Sequence, residues 1–283
     1  MKKGNIAIIT DSSCDLPKDY IKEHNIYVLP LHIHMPDGHY LDGVDITPEE
    51  VYSRMPKVVP TTSQPSPGDI KQLFERLKKE GYKEAIAVCI SAGISGTFDV
   101  ISMCAKEEDT LIVHAFDSRR LSMALGLLIM QAVEMNEKDC SSQKILEALN
   151  NSWKKTNVFF SMPSLIYLIK GGRIGLVAGT LGILMGIIPT ISINDAGLYY
   201  TYAKNRSYTI AVKKIEETIK DLVKGKLVDI AVMHGNALDK AKELYANLKN
   251  IDSIRNIYFS SVSPALGVHT GPGLIGVAYR IID

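Results

Sequence analysis

The chain has 283 residues, of which 46% are hydrophobic and 22% charged, a composition typical of a globular protein with room for two domains. Its 32 basic and 31 acidic residues leave a formal net charge of +1, which excludes the strongly basic surface that attracts nucleic acid. Four scattered cysteines and the lack of a long apolar N-terminal segment predict reduced thiols and a cytoplasmic protein.

The first half of the chain alternates between strand and helix patterns. Asp15 is expected to cap the first helix, Asp37-Gly38 marks a hairpin turn, and Thr47 with Glu50 forms the capping box of a short helix. Strands are predicted over 5–10, 26–35, 81–90 and 110–116, and helices over 16–24, 46–55, 69–80, 97–108, 117–135 and 141–156.

A second set of elements begins near residue 157. Strands are predicted over 158–163, 187–193, 198–203, 227–235, 253–262 and 274–283, and helices over 164–172, 172–186, 207–225 and 237–250, with a glycine-rich turn before the last strand. We therefore predict an α/β fold of two lobes. The N-terminal domain, 1–157, would hold a parallel sheet, and the C-terminal domain, 158–283, a mixed sheet.

Residues 174–194 carry no formal charge and are long enough to span a bilayer. Four glycines and Pro189 interrupt this stretch, and its second half alternates in the manner of a strand. A short helix followed by a buried strand explains the pattern better, so we expect no integral membrane insertion.

The segment CISAGISGTF, Cys89–Phe98, joins a predicted strand to a predicted helix. Such a turn leaves backbone N–H groups without partners, which suits a small oxyanion such as a phosphate or a carboxylate. Its hydroxyl residues are Ser91, Ser95 and Thr97, and its glycines, which would let a ligand approach the backbone, are Gly93 and Gly96. The alternative is that Ser95 only caps the following helix.

A second polar loop spans residues 60–68. Prolines stiffen it, and it presents a row of polar side chains: Thr61, Thr62, Ser63, Gln64 and Ser66. A rigid row of hydroxyls suits a fixed polar ligand group. The alternative is a solvated turn with Ser66 capping the next helix.

Two motifs point to other functions. Gly93–Thr97 nearly matches the nucleophile elbow G-x-S-x-G, although Thr97 replaces the last glycine. A serine hydrolase built on Ser95 would need a histidine and a carboxylate, for which His234 or His269 and Asp117 are available. The GxGxxG at 271–276 precedes a strand instead of a helix, which excludes a dinucleotide fingerprint and predicts a tight loop presenting His269 and Thr270.

Three histidines, His32, His34 and His39, surround the predicted hairpin. The spacing places His32 and His34 on one face of a strand. A metal site would need a third ligand converging in space, so partly exposed strand histidines are the favoured interpretation and no metal is expected.

Eight strings in this order resemble the DegV family: ITDSSCDLP, PTTSQPSPG, ISAGISGTF, FDSRRLSMALG, LIKGGRIG, IIPTISINDAG, KNRS and HTGPG. The resemblance implies a two-lobed α/β protein with a fatty acid buried in a tunnel between and within the lobes. Better-understood members look like the fatty-acid-binding subunit of bacterial fatty acid kinase. That subunit presents its bound acid to a separate ATP-dependent kinase subunit for acyl-phosphate formation.

The resemblance also assigns residues. Thr62 and Ser95 would hold the carboxylate, with Thr61 and His269 close by. Gly96 and Thr97 would support the turn, and Arg173 is a candidate for docking the kinase. One departure is Ile188, which stands where many members have a lysine and alters the expected polar edge of the pocket.

The predicted function is therefore a non-catalytic carrier of one long-chain fatty acid, such as palmitate, stearate or oleate, without a further cofactor. The apolar segments 121–135 and 174–185 could line its tunnel, or could be ordinary core. The alternatives are an acyl hydrolase or transferase that uses Ser95 as its nucleophile, and a binder of small phosphates at the same turn.

Overall fold

The computed structural model describes residues 5–55, 57–175, 177 and 186–282. The strands are β1 (Ala7–Asp11), β2 (Tyr27–Leu29), β3 (His32–Met35), β4 (Gly38–Leu41), β5 (Thr61–Ser63), β6 (Glu84–Cys89), β7 (Ile112–Asp117), β8 (Thr156–Ser161), β9 (Ile188–Ile193), β10 (Tyr199–Asn205), β11 (Val228–Gly235), β12 (Ile254–Ser261) and β13 (Leu274–Ile281). The helices are α1 (Lys18–Glu23), α2 (Pro48–Arg54), α3 (Pro67–Lys79), α4 (Thr97–Lys106), α5 (Ser122–Asn136), α6 (Ser142–Ser152), α7 (Ile166–Lys170), α8 (Tyr208–Leu222), α9 (Leu238–Leu248) and α10 (Pro264–Thr270).

The first sheet has the order β2-β1-β6-β7 and is parallel throughout. Its strands are apolar and β-branched because helices cover both faces. One face packs on α3 and α4, and the other packs on α5. The predicted parallel α/β architecture of this part of the chain is confirmed.

The second sheet has the order β10-β9-β8-β13-β11-β12. Only β11 and β12 are parallel neighbours, and the other pairs are antiparallel, so the predicted mixed sheet is also confirmed. We call the part up to β7 the first lobe and the part from β8 onward the second lobe. The exact division at residues 157 and 158, which falls inside β8, stays a prediction.

Helix α5 lies between the two sheets and contacts strands of both. Twelve of its fifteen residues are buried. A helix that is apolar on all sides needs apolar partners on all sides, and here the two lobes supply them. The tunnel-lining role predicted for this segment stays a prediction, because the contacts described are also those of a core helix.

A small antiparallel sheet, β4-β3-β5, sits beside α2 and packs against α10 of the second lobe. The prediction of one strand over 26–35 was wrong. Pro30 separates β2 from β3, which join different sheets, because proline cannot donate the hydrogen bond that a continuous ladder needs. Thr61–Ser63, predicted as loop, forms the edge strand β5.

Helix α10 was also missed, since its segment was predicted to be a glycine-rich turn. The helix begins at Pro264, whose missing N–H is tolerated in a first helical turn. It ends where Gly271 adopts a φ of +71°. All seven of its residues are buried, because α10 lies between α2, α7 and the small sheet. His269 is therefore held on a helix and not on a loop.

The structure also tests the predictions made for the ends of helices. Asp15 does not cap α1, whose N-cap is Pro17, while the capping boxes at Thr47 and at Ser66 are both present.

Most of the helix predicted over 172–186 lies outside the described residues. No helix in the described ranges is long and apolar enough to cross a membrane.

Candidate functional site

The edge strand β5 and helix α10 bring two predicted site residues together. The Thr62 hydroxyl lies 2.7 Å from His269 Nε2, although the two residues are 207 positions apart. Side chains alternate along a strand, so Thr61 points to the other face and is exposed to solvent. Thr61 consequently lies outside the site that its neighbour helps to form.

A buried cavity of about 30 Å³ lies at this contact. It is lined by Leu31, Thr62, Ile90, Ile94, Ser95, Arg173, Tyr199, Ala265, Leu266 and His269. Three residues predicted to surround the carboxylate, Thr62, Ser95 and His269, therefore share one cavity. Arg173, predicted at a docking surface, also faces this cavity, so its guanidinium supplies the positive charge that uncharged donors lack.

A second cavity, of about 20 Å³, adjoins the first. Its lining is mostly apolar and comprises Leu121, Ser122, Val158, Phe160, Tyr199, Met233, Val262, Leu266, Thr270 and Leu274. Tyr199 and Leu266 line both cavities. On this measure one water molecule needs about 10–15 Å³, so each cavity has room for one or two waters, and a long acyl chain can follow this route only if side chains move apart.

His269 is only 8% exposed. Burial, and secondarily the charge of Arg173, lowers the pKa of its imidazole to about 4, so the ring is neutral at neutral pH. Its Nδ1 atom is buried without a hydrogen-bond partner in the described part of the chain. A Cβ atom added to Gly171 would lie 2.2 Å from this nitrogen. The LIKGG string thus contains a glycine that the histidine ring requires.

The role of the Ser/Gly turn after β6 as an anion site stays a prediction. Five of its backbone amides already have acceptors: Ala92 N–H donates to Asp117 Oδ1 (3.1 Å), Gly93 N–H to Ser91 Oγ (3.2 Å), Ile94 and Ser95 N–H to the Ser91 carbonyl (3.0 and 3.1 Å), and Thr97 N–H to Ser95 Oγ (3.4 Å). The turn closes on itself, and Gly96, not Ser95, precedes α4 as its N-cap. The hydroxyl of Ser95 lies 2.9 Å from that of the fully buried Thr97.

Gly93 is needed for a contact between the lobes and not for a ligand. A Cβ atom at this position would lie 2.8 Å from the carbonyl oxygen of Gly197, at the tip of the β9–β10 hairpin. The Ser91 hydroxyl donates to the same carbonyl (2.8 Å), and Arg119 Nη1 donates to the Asp195 carbonyl (3.2 Å). A Cβ atom added to Gly96 would lie an ordinary 3.6 Å from the Gln64 amide carbon.

The hydrolase alternative requires a base beside Ser95. Within the described residues the hydrogen bonds of Ser95 Oγ are to Thr97, while His269 is paired with Thr62. Asp117 accepts backbone N–H groups, including that of Arg119 (2.9 Å). A serine nucleophile needs an adjacent base, so the arrangement supplies hydroxyl donors but does not activate one.

The hairpin histidines have partners of their own. His32 Nε2 lies 3.1 Å from Asp69 Oδ2, His34 Nδ1 lies 2.6 Å from His39 Nδ1, and His34 Nε2 lies 2.9 Å from Ser63 Oγ. In the described part of the chain, no three histidine, cysteine or acidic side chains are arranged to hold a metal ion. Ile188 begins β9, where its carbonyl accepts a hydrogen bond from Asn205 (3.0 Å), and it is not among the residues that line either cavity.

A sequence model described as "Uncharacterised protein, DegV family" matches residues 5–281. A DegV domain-containing protein of Clostridium acetobutylicum is 42% identical over 96% of this chain and 97% of its own length. Among solved structures, DegV of Bacillus subtilis, described as a fatty acid binding protein, has a TM-score of 0.91 at 27% identity, covering 99% of this chain and all of its own. A stearic acid-binding protein of Eubacterium ventriosum has a TM-score of 0.86 at 26% identity, covering 98% of each chain.

Proposed function

Because this chain belongs to the DegV family, we propose that it binds one long-chain fatty acid, such as palmitate, stearate or oleate. The carboxylate would occupy the cavity shared by Thr62, Ser95, His269 and Arg173. The observation that carries this proposal is the convergence of these four polar groups, from four separate segments, on one buried cavity beside an apolar one. Solved relatives described as fatty acid binding proteins support the ligand class.

The chemistry of the cavity matches a carboxylate. Because Thr62 and His269 are hydrogen-bonded to each other, that pair has one donor left for a ligand. The Ser95 hydroxyl supplies a second donor, and Arg173 balances the negative charge. A hydrogen bond to a charged group contributes about 1.5–3 kcal/mol, whereas burial of a C16 tail at about 0.8 kcal/mol per CH₂ contributes on the order of 12 kcal/mol. The tail therefore supplies most of the affinity, and the polar groups fix the orientation of the head.

The tail would follow the route from the polar cavity past Tyr199 and Leu266 into the second cavity, between α5 and the second sheet. Its walls are aliphatic and aromatic side chains, which exchange contacts with one another for contacts with the acyl chain at little cost in apolar burial. The acyl chain would therefore enter through side-chain rotations that widen this route, and not through a permanently open tunnel.

We assign the protein the role of a cytoplasmic carrier that presents its acid to a separate ATP-dependent kinase subunit for acyl-phosphate formation. Two features support a carrier over an enzyme. Ser95 has no base beside it in the described part of the chain, and the GxGxxG run lies between α10 and β13, where it does not form a strand-to-helix phosphate turn. The nucleotide would consequently be brought by the partner.

Native mass spectrometry of the freshly purified protein tests the proposal. We expect an added mass equal to a C16 or C18 acid, its loss on delipidation, and its return with oleate. Ser95→Ala should weaken oleate binding. Neither the wild type nor this variant should be labelled by an acyl-phosphonate. A ligand-free spectrum together with no thermal shift on adding oleate would overturn the proposal, and labelling of Ser95 would favour the hydrolase.

A further inference from the structure

The N-terminal end of α10 is held by two carboxylates from the other lobe. The Ser263 N–H donates to Asp15 Oδ1 (2.8 Å), and the Ala265 N–H donates to Asp42 Oδ1 (3.2 Å). These pairs join residues 248 and 223 positions apart. Burial raises the pKa of both carboxyl groups to about 7, so each is only partly ionised at neutral pH. A carboxyl oxygen accepts these N–H bonds in either protonation state, and the first turn of α10 therefore has a fixed position on the first lobe.

Each carboxylate is itself held by a hydroxyl on its second oxygen. The Ser122 hydroxyl donates to Asp15 Oδ2 (2.5 Å), and the Ser12 hydroxyl donates to Asp42 Oδ2 (2.6 Å). Asp15 is 6% exposed and Asp42 is 2% exposed. With all four oxygens engaged in hydrogen bonds and both side chains buried, each carboxyl group is held in its orientation towards α10.

The backbone around Asp15 is held in a sparsely populated conformation. Asp15 and its hydrogen-bond partner Ser122 both have a φ of +52°, which costs a non-glycine residue free energy unless the surroundings impose it. The Ser260 hydroxyl also donates to the Asp15 carbonyl. Helix α5, through Ser122, and the second lobe, through Ser260 and Ser263, therefore hold this one residue by its side chain and by its backbone.

The far end of α10 carries His269, which meets Thr62 of the first lobe. A helix of seven residues is only about 10 Å long, so a shift at Ser263 or Ala265 moves the imidazole as well. Between the two ends, the Tyr52 ring sits against Gly267, where a Cβ atom would lie 2.8 Å from its hydroxyl. The first lobe thus contacts α10 at its start, its middle and its end.

We propose that Asp15 and Asp42 are positioning residues that hold α10, and through it His269, in register with Thr62. The two aspartates do not touch the ligand. They hold the imidazole within hydrogen-bond distance of the Thr62 hydroxyl, beside the cavity that would take the carboxylate. The consequence for ligand affinity rests on the proposed fatty acid function, but the effect on His269 does not.

The test compares Asp15→Asn and Asp42→Asn with Asp229→Asn. Asp229 is equally buried, at 2% exposed, and is paired with Arg255 (2.6 Å) and Arg280 (3.0 Å) in the second sheet, away from α10. Nuclear magnetic resonance of the His269 ring in the ligand-free protein reports its pKa. We expect it to rise from about 4 towards the ordinary value of about 6.5 in the first two variants, and to stay low in the third.

Oleate affinity is measured on the same proteins. We expect about a tenfold loss, the equivalent of about 1.4 kcal/mol, in Asp15→Asn and Asp42→Asn, and none in Asp229→Asn. If an asparagine variant fails to fold, Ser12→Ala, which lines neither cavity, loosens the Asp42 carboxyl group more gently. Its control is Ser161→Ala, which removes a buried hydroxyl of the second sheet that donates to the Pro189 carbonyl.

The outcomes separate the two proposals. If the wild type fails to bind oleate while the His269 pKa rises in the variants, the fatty acid function fails and the positioning role stands. If the wild type binds oleate, and the variants of Asp15 and Asp42 fold but change neither affinity nor the His269 pKa, the positioning role is wrong. An equal change in the Asp229 or Ser161 control would also overturn it, since the effect would then be general.

Discussion

Replacement of Gly171 by alanine is the sharpest perturbation of the site that leaves every polar group in place. The added Cβ atom would lie 2.2 Å from His269 Nδ1, 2.9 Å from its Cε1 and 3.0 Å from the Tyr167 carbonyl oxygen. Gly171 has an ordinary φ of −78°, so the backbone itself accepts alanine. Any effect must come from the contact with the imidazole.

The size of the effect follows from how far the ring must move. Real Cβ contacts are rarely closer than 3.4 Å, so His269 must shift by about 1 Å and its bond to Thr62, now 2.7 Å, is lost or lengthened. Overpacking of this kind costs about 1–3 kcal/mol of folding stability. Loss of one hydrogen bond to a charged ligand should weaken oleate binding by about 1.5–3 kcal/mol, which is at least tenfold.

Gly172→Ala is the matched control. Gly172 has a φ of +70°, and an added Cβ atom there would meet nothing within 4 Å. Alanine therefore strains the backbone by about 1 kcal/mol without touching the histidine. Urea unfolding should show both variants destabilised, while calorimetric titration with oleate should show weaker binding only for Gly171→Ala. In a double-mutant cycle with His269→Ala, most of the Gly171 effect should disappear.

Wild-type oleate affinity in a folded Gly171→Ala variant would refute the reasoning, because the ring would then have moved without consequence for the ligand. Equal losses of affinity in both glycine variants would refute it in a different way. The defect would then belong to the strained turn after α7 and not to the imidazole contact.

Three further predictions concern other parts of the site. Thr62→Val should weaken oleate binding about tenfold, whereas Thr61→Val, on the exposed face of the same strand, should leave the calorimetric affinity for oleate unchanged. Equal effects of the two variants would contradict the assignment of the two side chains to opposite faces of β5. Because the folded-state pKa of His269, about 4, lies below its unfolded value, the unfolded chain binds the extra proton and stability falls on acidification. Between pH 7 and pH 5 urea unfolding should show the wild type losing about 2 kcal/mol relative to His269→Gln. Asp15 and Asp42, whose pKa burial raises to about 7, titrate in both proteins and so drop out of this difference; a difference that does not change with pH would argue against a buried neutral ring. Gly197→Ala, with a φ of +76° and a Cβ atom 2.1 Å from Ser91 Oγ, should lower the thermal midpoint by several degrees, and no shift would mean that the hairpin tip moves freely.

Local patterns in the sequence predicted the elements that depend on local physics. The apolar run of β6, the capping box at Thr47 and the alternation of strands and helices each reflect neighbouring residues, and all are found in the structure. The DegV strings also brought Thr62, Ser95 and His269 into one hypothesis, and the structure places the three around one cavity. Their role towards a carboxylate is still a prediction.

The expectations that failed depended on residues far away in the chain. Asp15 has the local pattern of a helix cap, but its carboxylate serves Ser263, 248 positions later. The glycines of α10 suggested a turn, and burial between the lobes overrode that preference. The Ala92 amide after β6 looked free because its acceptor, Asp117, follows 25 residues further on.

The placement of α5 has a consequence for how the protein unfolds. Each lobe completes its apolar core with the same helix, so neither lobe can melt while the other keeps its packing. Heating should therefore produce a single calorimetric peak, and separately expressed halves should remain collapsed but unpacked until they are mixed. Because of this coupling, an acyl chain that entered beside α5 would also change the packing of both lobes at once.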